Sequence, residues 1–147
     1  MRPIKELMVI FMSRLTGIIF TLLLSAPLYA QVSNVDNDEL EQLMAQGVPV
    51  IDVRRPEEWT QTGVVEGSHL LTFFDKQGRY DVNKWMAEFS RIAGPDDPVV
   101  LICRTGNRTG TISKFLDQQL SYKKVSNVTK GITHWISQGK ATVKPAI

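Results

Sequence analysis

The sequence of 147 residues predicts an α/β fold, in which a parallel sheet is covered by helices on both faces. Short apolar runs alternate with segments whose apolar residues recur at helical spacing along most of the chain. Residues 98–102 give the strongest strand signal, because a continuous apolar run is typical of a strand buried on both faces. The length, without any internal repeat, predicts a single domain.

The first predicted helix begins after Asp36, whose carboxylate can cap the first turn while Glu39 reaches back to the backbone of the capping residue. An apolar face follows at helical spacing, and Gly47 ends the helix. Residues 48–53 then form a short apolar run, which predicts a buried strand.

The middle of the chain continues the alternation. Pro56 predicts the start of a brief helix that stops at Gly63, because proline suits the first helical turn and glycine suits a helix end. Residues 68–71 predict a weak strand. A longer helix begins after Asp81, carries apolar residues at helical spacing, and ends at Gly94, which precedes a proline.

The last third of the chain has the same pattern. The buried strand of residues 98–102 is followed by a short loop and an amphipathic helix. Residues 124–128 predict a last strand, and residues 131–138 predict a last short helix. We therefore expect the domain to span residues 31–139 and residues 140–147 to form a C-terminal tail.

The N-terminal segment, residues 1–30, is typical of an export signal. Residues 15–26 are apolar and uncharged, Arg14 precedes them, and the small residue Ala30 offers a cleavage site. We therefore expect a cleaved signal peptide and a periplasmic protein that is not inserted stably in the membrane.

Two alternatives bear on this location. Residues 7–29 are about as long as a bilayer-spanning helix, so an uncleaved inner-membrane anchor facing the periplasm is the other reading, although Arg14 inside the span argues against it. A start at Met12 would give a shorter and more typical signal. Asn107 matches the N-glycosylation pattern at the start of the amphipathic helix that follows the strand of residues 98–102, and a functional site there would favour a bacterial periplasm over a eukaryotic secretory route.

The charge balance gives no support for a polyanionic partner. The chain has 17 Lys and Arg and 15 Asp and Glu residues, but three of the basic and one of the acidic residues lie in residues 1–30, so the remainder has 14 of each. A neutral domain gives no electrostatic reason to expect nucleic acid or an anionic membrane as partner.

Cys103 is the only cysteine, and it lies where the strand of residues 98–102 ends. It cannot form a disulfide within the chain, so in an oxidising compartment it is either inert and buried or kept for its reactivity. Gly106 permits a sharp turn, Arg104 and Arg108 supply positive charge, and a helix follows. Inward-pointing amides in such a turn bind anions, and these surroundings favour the nucleophilic thiolate. The loop therefore predicts a reactive cysteine at the sheet edge where ligands bind.

Asp52 and Arg54 lie at the carboxyl end of another predicted strand. A carboxylate and an arginine in this position usually pair with each other or with backbone, so we expect a scaffold role near the site. His69 and His134 are far from Cys103 in the sequence, and such dispersed groups do not predict a zinc site.

The loop of residues 103–108, Cys-Arg-Thr-Gly-Asn-Arg, resembles the active loop of single-domain rhodaneses, the thiosulfate-type sulfurtransferases. Residues 52–59 resemble the Asp-Val-Arg-x-x-x-Glu-aromatic motif of that family. Residues 63–68 resemble its Gly-His-Ile-x-Gly-Ala motif, with valine for histidine and serine for alanine. Residues 130–135 resemble its Gly-Gly-x-x-x-Trp motif, with Lys130 in place of the first glycine. Together these motifs indicate a rhodanese-like three-layer fold.

This resemblance implies a ping-pong sulfurtransferase. The Cys103 thiolate would take the outer sulfur of thiosulfate, or of a persulfide donor, and pass it from a Cys103 persulfide to cyanide, a thiol or a protein acceptor. Arg104 and Arg108 would orient the anionic donor. No metal or organic cofactor is required. The residues expected to bind substrate or persulfide are Arg104, Thr105, Gly106, Asn107, Arg108 and Thr109.

Other functions of the same fold remain as alternatives. Cysteine phosphatase loops place one more residue between cysteine and arginine than the four between Cys103 and Arg108, and Thr109 stands where their arginine would be. An arsenate reductase usually needs a second cysteine. A non-catalytic binding module would typically lose the cysteine. A sulfur carrier dedicated to one periplasmic partner would use the same Cys103 chemistry.

Overall fold

A computed structural model describes residues 32–147, so the predicted signal peptide or anchor lies outside the described residues. Within this range the chain forms one parallel sheet in the strand order β1-β5-β4-β2-β3. The five strands of the described range are β1 (Ser33–Val35), β2 (Val50–Asp52), β3 (His69–Leu70), β4 (Val99–Ile102) and β5 (Val125–Val128). Five helices connect or follow them: α1 (Asn37–Ala45), α2 (Pro56–Thr62), α3 (Val82–Phe89), α4 (Asn107–Leu120) and α5 (Gly131–Ser137).

Helices cover both faces of the sheet. Along β4, every residue is buried, and Val99 and Leu101 pack into one hydrophobic cluster while Val100 and Ile102 pack into the other, because successive side chains point to opposite faces. The first cluster takes residues from α3 and α4, and the second takes residues from α1 and α5. The predicted three-layer α/β fold is therefore confirmed.

The capping residues act as their sequence positions predict. The Asp36 carboxylate accepts hydrogen bonds from the amides of Asp38 and Glu39, and the Glu39 carboxylate accepts one from the amide of Asp36. Asp81 caps α3 by accepting a hydrogen bond from the amide of Lys84. These local contacts fix where the helices begin.

Two features differ from the sequence-based expectation. Strand β1 was not predicted; it has three residues, of which only Val35 is buried, and it exists by pairing with β5. The segment expected to be a tail returns to the domain, where Val143 forms an isolated antiparallel bridge with Val64. Neither feature has a local periodicity that the sequence could display. Within residues 32–147, no helix has the length and apolar character needed to cross a membrane.

Candidate active site

The Cys103 thiol lies at the carboxyl edge of the sheet, directly after the central strand β4, and the residue is only 1% exposed. The amide N–H of Gly106 donates a hydrogen bond to Sγ at 3.2 Å. The Thr109 hydroxyl is 3.3 Å from the same sulfur and 3.2 Å from the Gly106 carbonyl oxygen. The loop thus curls around the sulfur and directs the Gly106 amide at it, and an amide hydrogen in this position stabilises a sulfur anion.

Gly106 is required by the path of this loop. Its φ angle is +90°, in the left-handed region that favours glycine, and a Cβ there would overlap the backbone carbonyl of Thr129. The predicted role of Gly106 in turning the chain therefore has two causes, the backbone angle and the close approach of the segment that follows β5.

Helix α5 holds the other side of the loop. The amides of Ile132 and Thr133 donate hydrogen bonds to the carbonyl oxygens of Cys103 and Arg104, at 2.9 and 3.1 Å. Gly131 makes this approach possible, because a Cβ at that position would overlap the Cys103 and Arg104 backbone. Two loop carbonyls are therefore bonded to α5, while the Gly106 amide is bonded to the sulfur.

Arg108 lies beside the thiol in an ion pair with Glu58 of α2. The two guanidinium NH₂ groups donate to the two carboxylate oxygens at 2.6 and 2.8 Å, and the Arg55 amide donates a third hydrogen bond at 3.0 Å. Burial opposes ionisation of Glu58, but these hydrogen bonds and the nearby charges outweigh it and lower the pKa of Glu58 to about 2. The pKa of Arg108 is raised, chiefly by its hydrogen bonds to Glu58 and further by interaction with Cys103.

This pair changes the expected role of Arg108. The sequence predicted that Arg108 supplies positive charge beside Cys103 and orients the anionic donor, and it gave Glu58 no role. In the structure the guanidinium is already held by a carboxylate, with side chains only 22% and 13% exposed for Arg108 and Glu58. The one sequence signal for Glu58 was its position as the glutamate of the motif in residues 52–59.

Asp52 and Arg54 form a buried ion pair at the end of β2. Their charged groups are 2.6 Å apart, and both side chains are almost fully buried. Arg54 also donates to the Thr62 hydroxyl at 2.8 Å and to the Gly63 carbonyl at 3.0 Å. A buried charge pair needs its remaining hydrogen bonds satisfied, and here they tie β2 to the end of α2.

The other predicted binding residues face solvent. Arg104, Thr105 and Asn107 are exposed, whereas Gly106 and Thr109 are buried against the sulfur. Arg104 lines a groove of about 250 Å³ together with residues of α2 and α5, including Thr62 and Ile136. No group of three residues that could hold a metal ion occurs in the described part of the chain.

The fold and the site together define a class of protein. A parallel α/β sheet carries a buried cysteine in a strand-to-helix loop, and the Gly106 amide of that loop donates to the sulfur. Residues 36–138 match the family model for the rhodanese-like domain, so the chain belongs to the rhodanese-like family.

Two proteins from other organisms are similar in sequence to part of this chain. A candidate thiosulfate sulfurtransferase of Mycobacterium tuberculosis, SseA, is 29% identical over 117 residues, which cover 67% of this chain and 39% of the relative. A candidate mitochondrial thiosulfate sulfurtransferase of Schizosaccharomyces pombe is 33% identical over 97 residues, covering 63% of this chain and 66% of the relative. The chain thus spans less than two thirds of the length of these relatives.

Solved structures share the fold. A rhodanese-related protein of Thermoplasma volcanium is 26% identical and has a TM-score of 0.58, with 77% of this chain and 99% of that chain covered. The 30 kDa polysulfide-sulfur transferase homodimer of Wolinella succinogenes is 20% identical and has a TM-score of 0.60, with coverage of 80% and 82%. At 20% identity the second similarity concerns the fold alone.

Proposed function

We propose that this protein is a sulfurtransferase that carries sulfane sulfur as a persulfide on Cys103. The observation that carries the proposal is the position of Sγ, 3.2 Å from the Gly106 amide and 3.3 Å from the Thr109 hydroxyl, on a buried cysteine at the start of the strand-to-helix loop. The names of the mycobacterial and yeast relatives, both candidate thiosulfate sulfurtransferases, support this function class.

The proposed reaction has two displacements. The Cys103 thiolate attacks the outer sulfur of thiosulfate, the S–S bond breaks, and its electron pair leaves with sulfite. The product is a Cys103 persulfide anion. An acceptor such as cyanide then attacks the outer sulfur, leaves as thiocyanate, and returns the thiolate. Each step is a nucleophilic substitution at sulfur, with no external oxidant or reductant.

The loop would stabilise the anion at both stages. The Gly106 amide already donates a hydrogen bond to the sulfur. The Thr109 hydroxyl, which donates to the Gly106 carbonyl, lies 3.3 Å from the sulfur and would turn its hydrogen toward a sulfur anion, so little reorganisation would accompany the reaction. Arg108, fixed by Glu58, would supply positive charge beside the reacting sulfur. Thr109 would thus act with Arg108 as a direct stabiliser of the persulfide.

The rim of the site, formed by Arg104 and Lys130, suits a small anionic donor. Arg104 is exposed directly after Cys103, and Lys130 is exposed between two residues, Thr129 and Gly131, that approach the loop backbone. Both cations would attract thiosulfate, a dianion, or an anionic persulfide. A dedicated protein acceptor would use the same Cys103 chemistry and would reach the sulfur from this rim.

We also propose that the protein works in the periplasm, on the basis of the signal-like residues 1–30. The intact mass of the protein purified from a periplasmic extract tests this. A mass that corresponds to a chain starting near Gln31 supports export and cleavage of the signal peptide. The mass of the uncleaved chain, found in the membrane fraction, supports the anchored alternative.

The test of the function is intact mass spectrometry before and after thiosulfate. Because Cys103 is the only cysteine, wild-type protein should gain about 32 Da, and cyanide should remove that mass and form thiocyanate. Cys103→Ser should do neither. A wild-type protein that gains no sulfur from thiosulfate or from glutathione persulfide would overturn the proposal and make phosphate ester hydrolysis the next activity to assay. Stoichiometric loading with very slow release to small acceptors would indicate a carrier.

A further inference from the structure

Residues 140–143, here called the strap, lie across the ends of two helices that reach the active site. The Ala141 carbonyl accepts a hydrogen bond from Trp135 Nε1 of α5 at 2.8 Å. The Thr142 hydroxyl donates to the carbonyl of Thr62, the last residue of α2, at 3.0 Å. Val143 then exchanges two backbone hydrogen bonds with Val64, both at 2.9 Å. The strap therefore bonds to α2 and α5 at the same time.

The start of the strap is anchored as well. The Lys140 ammonium lies 2.8 Å from the Glu41 carboxylate of α1 and 5.3 Å from the centre of the Trp135 ring. Its side chain is only 18% exposed. The strap lies so close to Gly63 that no larger residue fits there, because a Cβ on Gly63 would lie 2.7 Å from the Thr142 hydroxyl. These contacts attach the strap to the surface of the domain, with Ala141 and Val143 exposed.

Through Thr142, the strap is connected by hydrogen bonds to the ion pair between Glu58 and Arg108. Thr62, which Thr142 holds, accepts a hydrogen bond from Arg54 at 2.8 Å and donates one to the Glu58 carbonyl at 3.1 Å. Glu58 in turn holds the Arg108 guanidinium beside the Cys103 sulfur. Each link in this series is a direct hydrogen bond or ion pair.

Through Ala141, the strap is connected to α5, whose amides hold the backbone of the Cys103 loop. Trp135, which bonds to Ala141, belongs to α5, and the first amides of α5 hold the carbonyls of Cys103 and Arg104. Helix α2 and helix α5 thus control the two sides of the thiol. Among the described residues after 138, where the family match ends, the strap is the segment that joins them.

We propose that the strap is a positioning element of the active site, which fixes the Glu58–Arg108 pair relative to the Cys103 loop by holding α2 against α5. The proposal rests on the sulfurtransferase function but uses residues outside the family match. Without the strap, we expect the Arg108 guanidinium to be held less precisely beside the Cys103 sulfur, while the sheet and the loop remain.

The test compares two truncations of the full chain. Removal of residues 140–147 deletes the strap, and removal of residues 145–147 is the matched control, because the strap and its contacts remain. The first readout is the rate ratio for alkylation of Cys103 by iodoacetate and by neutral iodoacetamide, which reports the local positive charge. The second readout is kcat for thiocyanate formation.

We expect loss of the strap to lower the iodoacetate-to-iodoacetamide ratio about threefold and kcat about tenfold, while the control stays at the wild-type values. Circular dichroism melting defines a temperature at which every variant is folded, and all rates are measured there. If the ratio and kcat of the folded strapless protein equal those of wild type, the strap only adds stability and the proposal is wrong.

A point variant covers the case in which the strapless chain does not fold. Thr142→Val keeps the side-chain shape but removes the hydroxyl that bonds to Thr62, and Thr60→Val is its control, because the Thr60 hydroxyl bonds only to Pro56 within α2. We expect a smaller change in the same direction for Thr142→Val alone. The alkylation ratio needs no sulfur donor, so it still tests the strap if wild-type protein fails to accept sulfur.

Discussion

The two sides of the Cys103 loop are held by different kinds of interaction. On the α5 side, backbone amides bond to backbone carbonyls, and Gly106 and Gly131 let the two segments touch. On the α2 side, the contacts are ionic: Glu58 holds Arg108, and Asp52 holds Arg54. The backbone side thus determines where the sulfur lies, and the charged side determines the electric field around it.

This difference has a consequence for how each side tolerates change. A backbone contact without spare volume cannot adjust, so an added methyl group must displace the loop. The partly exposed Glu58–Arg108 pair, unlike the buried Asp52–Arg54 pair, can be weakened while the chain keeps its path. Changes on the α5 side should therefore be the more damaging, and the following experiments test that ranking.

The largest effect is expected from Gly106→Ala. The new Cβ would overlap the Thr129 carbonyl, and the residue would keep a φ of +90°, which costs about 1–3 kcal/mol for a residue other than glycine. We expect sulfur transfer to fall by about 100-fold or more, because the amide that faces the sulfur moves. Thiocyanate formation and urea unfolding measure the two effects.

Gly78→Ala is the matched control, since Gly78 has a φ of +76° but open space around its Cβ position. It should lose stability from backbone strain and keep its activity. An equal loss of activity in both variants would show that the contact with Thr129 is not what positions the loop.

A smaller effect on activity is expected from Glu58→Gln. The amide keeps the shape of the carboxylate but not its charge, so the Arg108 guanidinium loses its ionic partner beside Cys103. We expect kcat to fall about tenfold, less than for a displaced loop amide. Glu57→Gln is the control, because Glu57 lies one residue away in an exposed pair with Arg55. If Glu58→Gln retains full activity, the charged side has no part in catalysis.

The same pair predicts an acid-sensitive component of stability. The pKa of Glu58 is lowered from 4.5 to about 2 in the folded protein, so between these values the unfolded state binds more protons and stability falls as the pH falls. The stabilisation is fully present above about pH 4.5. We expect about 1 kcal/mol of the unfolding free energy to be lost across this window through Glu58, after allowance for solvent screening.

Urea unfolding of wild type and Glu58→Gln between pH 6 and about pH 3 measures this component. The difference between the two proteins should shrink as the pH falls, and comparison of the two cancels the other carboxylates. A difference that stays constant with pH would mean that folding does not lower the pKa of Glu58.

The smallest effect is expected from Lys130→Gln at the rim. The exposed ammonium attracts a dianionic donor without touching the reacting atoms, so KM for thiosulfate should rise about two- to fourfold while kcat stays unchanged. High salt should remove the difference. Lys124→Gln is the control, because Lys124 precedes β5 at the opposite edge of the sheet. Equal KM values for Lys130→Gln and wild type at low salt would exclude rim attraction by this residue.

Much of the fold could be predicted because its signals are local. Asp36 and Asp81 cap the helices they precede, and the continuous apolar run around Val100 becomes the buried central strand. Strand β1 could not be predicted in this way, since one buried residue in three gives no alternation and the strand exists only through pairing with β5.

The site, like the fold, has one part that local sequence predicts and another that depends on packing. Cys103, Gly106 and Thr109 lie within seven consecutive residues, so the sequence by itself was enough to predict the candidate nucleophile and the loop around it. Only the tertiary structure decided that Glu58 meets Arg108 across 50 residues, and that Thr142 meets Thr62 across 80. The physical reason is that capping, turning and helical periodicity act between near neighbours, whereas these pairings form only after packing brings distant helices to one edge of the sheet.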